Sequence, residues 1–216
     1  MFDFLDIGTL IYRVPALLIA LSFHEYAHAA VSDALGDPTP SLDGRLTINP
    51  LAHLDVLGTI LLVLCGFGWA KPVMINPRYY KDYRSGVLKV SFAGPGMNLF
   101  LGFLSILLSA ILLKLGMLSR ESALFLNWIM MYNVWFAFFN LIPVPPLDGS
   151  KVLDVLLPER WYHLVLQYER YLMLAVVLLA WSGAFGGPLT AAMELVLRGL
   201  CRVVQFPFAL VEYYFF

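Results

Sequence analysis

The stretch LSFHEYAHAAV, residues 21–31, places His24, Glu25 and His28 inside a run of apolar residues. On a helix, the HExxH spacing puts both histidines on one face, one turn apart, so that both imidazoles can bind one metal ion. The glutamate between them can then accept a proton from a metal-bound water. Because ionisable side chains inside apolar helices are rare and usually functional, the stretch predicts metal-assisted hydrolysis. The alternative is a pair of histidines that only bonds neighbouring helices.

A third metal ligand must come from elsewhere, because a catalytic zinc ion has three protein ligands and one open position. One candidate is His53, in NPLAHLD, and the other is Asp148, in NLIPVPPLDGS, where prolines end an apolar segment. An ordinary loop histidine and a turn aspartate before Gly149 are the alternatives for these two residues.

The composition indicates a protein embedded in a membrane. The chain has 216 residues, of which 60% are hydrophobic and only 13% charged, and its mean hydropathy is +0.77. Soluble domains carry about 25% charged residues. The net charge of −1 gives no indication of a nucleic-acid partner. The two cysteines, Cys65 and Cys201, are far apart and predict buried thiols rather than a disulfide.

An apolar helix of about 20 residues spans the bilayer core. Length and hydropathy predict membrane segments over 10–35, 90–113, 122–147 and 165–183. A fifth segment, 189–208, carries Glu194, Arg198 and Arg202 along one helical face and is either a span or an interfacial helix.

The polypeptide between the first two long spans has a different character. Residues 56–69 are apolar but short, which fits a short helix, a re-entrant segment or a buried strand. Alternating apolar residues predict short strands over 42–48 and 71–76. The predicted fold class is thus an all-α polytopic membrane protein with about 5–6 membrane segments and a small β or re-entrant element. We expect a single domain over 1–216, with a catalytic core at about 10–151 and C-terminal helices in 152–216.

Basic residues predict the orientation, since short cytoplasmic loops are enriched in lysine and arginine. Residues 32–89 contain six of them, whereas the loop between the second and third spans contains only Lys114 and Arg120. We therefore expect the N-terminus outside and the HEYAH and LDGS stretches towards the cytoplasm.

Three motifs in this order resemble the site-2 protease family of intramembrane zinc metalloproteases: HEYAH in the first membrane helix, FAGPGMN in the next long one and NLIPVPPLDG after another. GRLTINPLAHLDVLGT and GFGWAKPVMINP are similar to the compact bacterial branch, which lacks a PDZ domain. The resemblance covers about residues 10–151. It implies one Zn²⁺ per chain bound by His24, His28 and Asp148, with Glu25 as the catalytic base. It also implies that Asn140 holds the substrate backbone or the oxyanion.

Two further residues are candidates for a place near the site. Asn98, in GPGMN, either lies beside the site or only bonds a neighbouring helix while Gly94 and Gly96 allow close packing. His53 is either a near-site residue or an ordinary loop histidine.

The function implied is that of an intramembrane zinc endopeptidase, a hydrolase that cleaves transmembrane segments in regulated intramembrane proteolysis. The expected location is a bacterial inner or cell membrane. The expected partners are a transmembrane protein substrate, the lipid bilayer, and a membrane adaptor or second copy of the chain. An unwound substrate is expected to pair with the edge of 42–48 or 71–76. The alternative is a non-catalytic membrane adaptor that keeps the fold. A zinc transporter is disfavoured, since the sequence has no inverted repeat.

Overall fold

Three long helices form the centre of the molecule in a computed structural model, which describes residues 7–55, 58, 71–182 and 186–215. They are α1 (Ile7–Ala34), α4 (Tyr83–Lys114) and α5 (Arg120–Asn140). Each is long and apolar enough to cross a membrane, which agrees with the first three predicted spans. The three helices pack against one another, so that each contacts both of the others.

α5 ends earlier than the sequence predicts. The apolar segment continues to residue 147, but the helix stops at Asn140 and is followed by turns. Pro143, Pro145 and Pro146 explain this end, because proline lacks the amide hydrogen that would continue a helix. Residues 141–149 form a compact loop that leads into α6 (Ser150–Leu156).

The described residues of the connection between α1 and α4 include the single-turn helices α2 (Thr39–Leu42) and α3 (Pro50–His53) and a 3₁₀ turn at Pro77–Tyr79. The predicted strands at 42–48 and 71–76 are not confirmed: neither stretch is in a strand in the described residues. Local chemistry accounts for the turns, since Gly44 has a φ of +65° and the Asn49 side chain caps α3 by accepting from the Leu51 amide. The predicted 56–69 element lies, apart from Gly58, outside the described residues.

The C-terminal part is also helical. After α6 come α7 (Glu159–Gln167), α8 (Glu169–Trp181), α9 (Gly186–Val204) and α10 (Phe208–Phe215). α8 and α9 cover the segments predicted at 165–183 and 189–208, but neither is among the three candidate spans found in the described part of the chain. The structure therefore supports a mostly helical membrane protein, and the predicted count of 5–6 spans is not confirmed.

One hydrophobic core joins the C-terminal helices to the central three. It contains Ile106 of α4, side chains from α5, and side chains from α9 and α10; its buried members are Ile106, Met130, Val134, Met193, Leu197, Cys201 and Val211. Burial of this apolar surface fixes α9 and α10 against α4 and α5. Cys201 is buried with a free thiol, as predicted, while Cys65 lies outside the described residues.

Candidate metal centre

Three side chains predicted as metal ligands meet at one point. The Nε2 atoms of His24 and His28 are 3.1 Å apart, and each lies 3.1 Å from Oδ2 of Asp148. The two histidines are on α1, and the aspartate lies in the loop after α5, 120 residues beyond His28. Among the described residues, this is the cluster of His, Cys, Asp and Glu side chains that can hold a metal ion.

The other ring nitrogen of each histidine is bonded to the protein. Nδ1 of His24 lies 2.8 Å from Oδ1 of Asn98, and Nδ1 of His28 lies 2.7 Å from the carbonyl oxygen of Val90. Both partners are oxygen acceptors, so each Nδ1 carries the proton and donates it. In a neutral imidazole the Nε2 atom then presents a lone pair, and both lone pairs point at the cluster.

This donor set fits a metal ion. With both Nδ1 atoms protonated, two Nε2 lone pairs and a carboxylate oxygen converge with separations of 3.1 Å. Two imidazole nitrogens and a carboxylate oxygen this close need a positive charge between them, which either a proton on an Nε2 atom or a bound metal ion supplies. Ligand atoms around a tetrahedral zinc ion, at bond lengths of about 2.0–2.1 Å, are separated by about 3.3 Å. The arrangement therefore supplies three ligands and leaves a fourth position open.

A glycine on α4 makes room for the two histidines. A Cβ atom placed on Gly94 would lie 2.4 Å from Nε2 of His28 and 2.6 Å from Nε2 of His24. A larger residue at position 94 cannot coexist with this arrangement of ligands. The GPG sequence thus lets α4 approach the imidazoles. The same helix contributes Asn98, which contacts His24.

The loop after α5 carries Asp148 back to α1. The Gly149 amide donates to the carbonyl oxygen of Asn140 at 2.7 Å, which closes the loop onto the last residue of α5. The Ser150 hydroxyl donates to the Leu147 carbonyl oxygen at 2.6 Å. These bonds fix the backbone on both sides of Asp148, whose carboxylate is half-buried beside the histidines.

Glu25 lies next to the cluster in sequence and contacts a different part of the chain. Its Oε2 accepts a hydrogen bond of 3.0 Å from the backbone amide of Val73. Val73 belongs to the 71–76 segment, which is now seen beside α1 although it is not in a strand.

The remaining candidates fall into two groups. Asn98 lies beside the cluster, 2.8 Å from Nδ1 of His24, and it also donates to the Ala20 carbonyl oxygen of the neighbouring helix at 3.5 Å, so features of both alternatives are present. Asn140 uses Nδ2 to donate to Phe136 of its own helix, at 3.1 Å, and its backbone carbonyl to close the Asp148 loop. His53 is buried and bonds the Thr47 carbonyl oxygen through Nε2, outside the three-residue cluster.

The sequence reasoning missed the contributions made by backbone atoms. The Val90 carbonyl and the Val73 amide leave no trace in residue types, so no pattern could have identified them. The sequence predicted only a packing role for Gly94. Its place four residues before Asn98 puts both residues on one face of the helix, and this spacing could have indicated that Gly94 also lies beside the histidines.

Comparisons with known proteins identify relatives of the chain. A model of "Peptidase family M50" matches residues 114–182, which include the Asp148 loop. YwhC of Bacillus subtilis is 41% identical over 166 residues, which cover 74% of this chain and 75% of that protein. MJ0611 of Methanocaldococcus jannaschii is 29% identical, over 70% of this chain and 75% of that protein. Rip2 of Mycolicibacterium smegmatis is 28% identical, over 68% of this chain and 58% of that protein. All three relatives carry the description "Putative zinc metalloprotease".

The chain belongs to peptidase family M50, the site-2 proteases, as the resemblance of its motifs predicts. No solved structure matches the chain. The predicted zinc cofactor is confirmed in this form: the relatives are named as zinc metalloproteases, and His24, His28 and Asp148 form a cluster that can bind a metal ion.

Proposed function

We propose that the chain is an intramembrane zinc endopeptidase that hydrolyses peptide bonds in transmembrane segments of other proteins. The observation that carries the proposal is that two nitrogen atoms of α1 and one carboxylate oxygen of the loop after α5 lie 3.1 Å from one another, in a protein whose central helices are long enough to cross a membrane. Membership of family M50 supports the same activity.

In this proposal His24, His28 and Asp148 hold the zinc ion, and Glu25 acts as the general base. A bound zinc ion supplies Lewis acidity and lowers the pKa of a water molecule towards about 7. The Glu25 carboxylate takes the proton of the attacking water and delivers it to the leaving amine. Asn98 and the Val90 carbonyl keep both imidazoles in the tautomer that presents Nε2. Asn140 remains the predicted contact for the substrate backbone or oxyanion.

The substrate is proposed to be a transmembrane helix that enters from the bilayer. Its backbone amides and carbonyls are already bonded to one another, so the helix must unwind locally before a carbonyl reaches the site. The predicted partner for the unwound stretch is 42–48 or 71–76, and we favour 71–76 because its Val73 amide contacts Glu25. The proposed location is a bacterial inner or cell membrane, with the site towards the cytoplasm.

The decisive experiment combines metal analysis with cleavage. The purified protein is assayed for zinc by mass spectrometry and reconstituted in liposomes with single-span substrates. We expect one zinc per chain, and we expect Glu25→Gln to retain it while cleavage falls by about 10²–10⁴-fold, the usual contribution of a general base. Asp148→Ala should lose both zinc and cleavage.

Glu194→Gln is the matched control, because Glu194 pairs with Arg198 on the surface of α9 and has no contact with the cluster. It should cleave like the wild type. A Glu25→Gln variant that cleaves at the wild-type rate would refute the role of Glu25. A zinc-loaded wild type that cleaves none of a panel of single-span substrates would favour the non-catalytic adaptor instead.

A further inference from the structure

A second buried carboxylate lies outside the metal centre. Asp37, three residues after the end of α1, is 0% exposed. Charged side chains are seldom buried so completely unless they are partnered. Asp37 accepts three hydrogen bonds: from the Ser32 hydroxyl at 2.8 Å, from the Thr39 amide at 3.0 Å and from the Asn76 amide at 2.7 Å. Burial alone would raise the pKa of Asp37, but the bonds from Asn76 and Thr39 hold that pKa below its ordinary value.

The bond to Asn76 fixes one end of the 71–76 segment. At the other end, the Lys71 amide donates to the His53 carbonyl oxygen at 2.9 Å. The segment has no regular secondary structure in the described residues, so a strand ladder does not hold it there. Its position therefore depends on these end contacts. Just beyond it, the Tyr80 and Ser32 hydroxyls lie 2.7 Å apart, which ties the same region to α1.

The middle of the segment touches Glu25. Val73 donates its backbone amide to Oε2 of Glu25, three residues before the Asn76 anchor. Three residues of chain span at most about 10 Å, so a shift of Asn76 must be absorbed close to Val73. The Glu25 carboxylate sits on α1, and among the described residues the Val73 amide is its hydrogen-bond donor from outside that helix.

We propose that Asp37 is a positioning residue for Glu25: its carboxylate anchors the 71–76 segment through the Asn76 amide, and the anchored Val73 amide orients the Glu25 carboxylate. The anchor does not touch the metal ligands. The inference rests on the proposed function for one point, the role of Glu25 as the base. The contacts that anchor the segment do not depend on whether the protein is an active protease.

The first test needs no substrate. Hydrogen–deuterium exchange is measured on the full-length protein in detergent for the wild type and Asp37→Asn. The carboxamide offers one acceptor oxygen in place of two, so we expect the Asn76 and Val73 amides to exchange about tenfold faster, as for the loss of about one hydrogen bond. Amides in the middle of α4 should exchange at the wild-type rate. Asp43→Asn is the matched control, since Asp43 is an exposed aspartate of the same connection.

Glu25→Ala separates the two contacts. It removes the acceptor for Val73 and leaves the one for Asn76, so only Val73 should exchange faster. Ser32→Ala is a milder change at the anchor and serves if Asp37→Asn does not fold: it should speed exchange at Asn76 and Val73 by a smaller factor. Unchanged exchange at Val73 in both anchor variants overturns the proposal.

The second test measures cleavage. For Asp37→Asn we expect kcat to fall about tenfold, with KM and zinc content equal to those of the wild type, because the base is misoriented while the ligands stay in place. A fall in zinc content or a matching loss of thermal stability would show a general structural role and overturn the proposal. If the wild type cleaves no substrate, the proposed function fails, and the exchange measurements alone decide whether Asp37 anchors the segment.

Discussion

His24 and His28 each use one ring nitrogen for the protein and leave the other for the metal. The partners of the Nδ1 atoms, Asn98 and the Val90 carbonyl, both belong to α4, whereas the histidines belong to α1. The packing of two helices thus sets the tautomer and the ring direction of both ligands. Partners of this kind usually matter nearly as much as the ligands themselves.

Gly94→Ala should weaken metal binding. The new Cβ would lie within 2.4–2.6 Å of ring atoms of His24 and His28, so the ligands must leave their positions. We expect zinc affinity at least about tenfold weaker, measured by competition with a fluorescent chelator. Gly96→Ala is the control, because a Cβ there meets nothing within 4 Å. Equal zinc affinity in the two variants would contradict this account of Gly94.

Asn98→Ala should weaken zinc binding by about 10–100-fold, as loss of a partner to a metal-bound histidine commonly does. The variant leaves His24 Nδ1 without an acceptor. Asn133→Ala is matched to it, since Asn133 is equally buried but donates only to Ile129 of its own helix. Asn133→Ala should bind zinc like the wild type, even if its thermal stability changes. The prediction fails if both variants bind zinc with the same affinity.

At this scale the sequence was a good guide to side chains and a poor one to backbone atoms. HEYAH indicated His24 and His28, and the family resemblance of the LDG stretch added Asp148, whereas residue types alone left His53 as an alternative third ligand. Val73 makes its contact through the backbone amide and Val90 through the backbone carbonyl. Every residue type has both groups, except that proline lacks the amide hydrogen. Only the path of the chain shows which of them reach the site.

At the scale of elements, the end of α5 is as important as the helix itself. Residues 141–149 turn back so that the Gly149 amide bonds the Asn140 carbonyl, and this closure presents Asp148 to α1. Proline-rich sequence predicted a break in the helix but placed it seven residues too late, because the segment remains apolar to residue 147. Apolar composition shows that a stretch is buried, not that it is helical.

Gly149→Ala should displace Asp148. A Cβ at this position would meet the Leu141 carbonyl oxygen at 2.3 Å and the Ile142 carbonyl oxygen at 2.8 Å. Both obstacles are backbone atoms, so the loop itself must move. We expect zinc affinity to fall and the free energy of unfolding to drop by about 1–3 kcal/mol, measured by thermal denaturation in detergent.

Gly199→Ala provides the comparison for this loop. Gly199 lies within α9, and a Cβ there meets nothing within 4 Å, so alanine should leave the stability equal or slightly higher through its better helix propensity. A stable, zinc-binding Gly149→Ala protein would show that the loop does not need this glycine.

The connection between α1 and α4 illustrates what periodicity misses. Alternating apolar residues predicted strands at 42–48 and 71–76, yet caps and anchors determine the described backbone there. The Asn49 side chain starts α3 and the Asn76 side chain accepts from the Arg78 amide at the 3₁₀ turn. Such bonds compete locally with strand pairing, and a strand needs a partner that a short pattern does not identify.

For the whole molecule, three candidate spans place its loops on two sides. The described residues of the connection between α1 and α4 and the 141–149 loop lie at one end of the central helices, and the turn at 115–119 lies at the other. Residues 32–89 contain six lysines and arginines, whereas the 115–119 turn is flanked by only two, Lys114 and Arg120. The positive-inside rule therefore predicts that the connection and the metal centre face the cytoplasm.

Cysteine labelling in intact cells tests this orientation. In a background with Cys65 and Cys201 replaced, Ser119→Cys should react with a membrane-impermeant maleimide, whereas Arg78→Cys should react only after the cells are opened. Both positions are exposed, so accessibility within the protein does not separate them. The reverse labelling pattern would place the site on the outer side of the membrane.

The distance along the chain between the metal ligands has a consequence for biogenesis. His24 and His28 emerge from the ribosome early, but Asp148 follows only after two further membrane helices have been made. Until α5 has been inserted and its trailing loop has folded back, the nascent chain presents two histidines without their carboxylate. The metal site, and with it the hydrolytic activity proposed for the protein, is therefore completed only after α5 has been made.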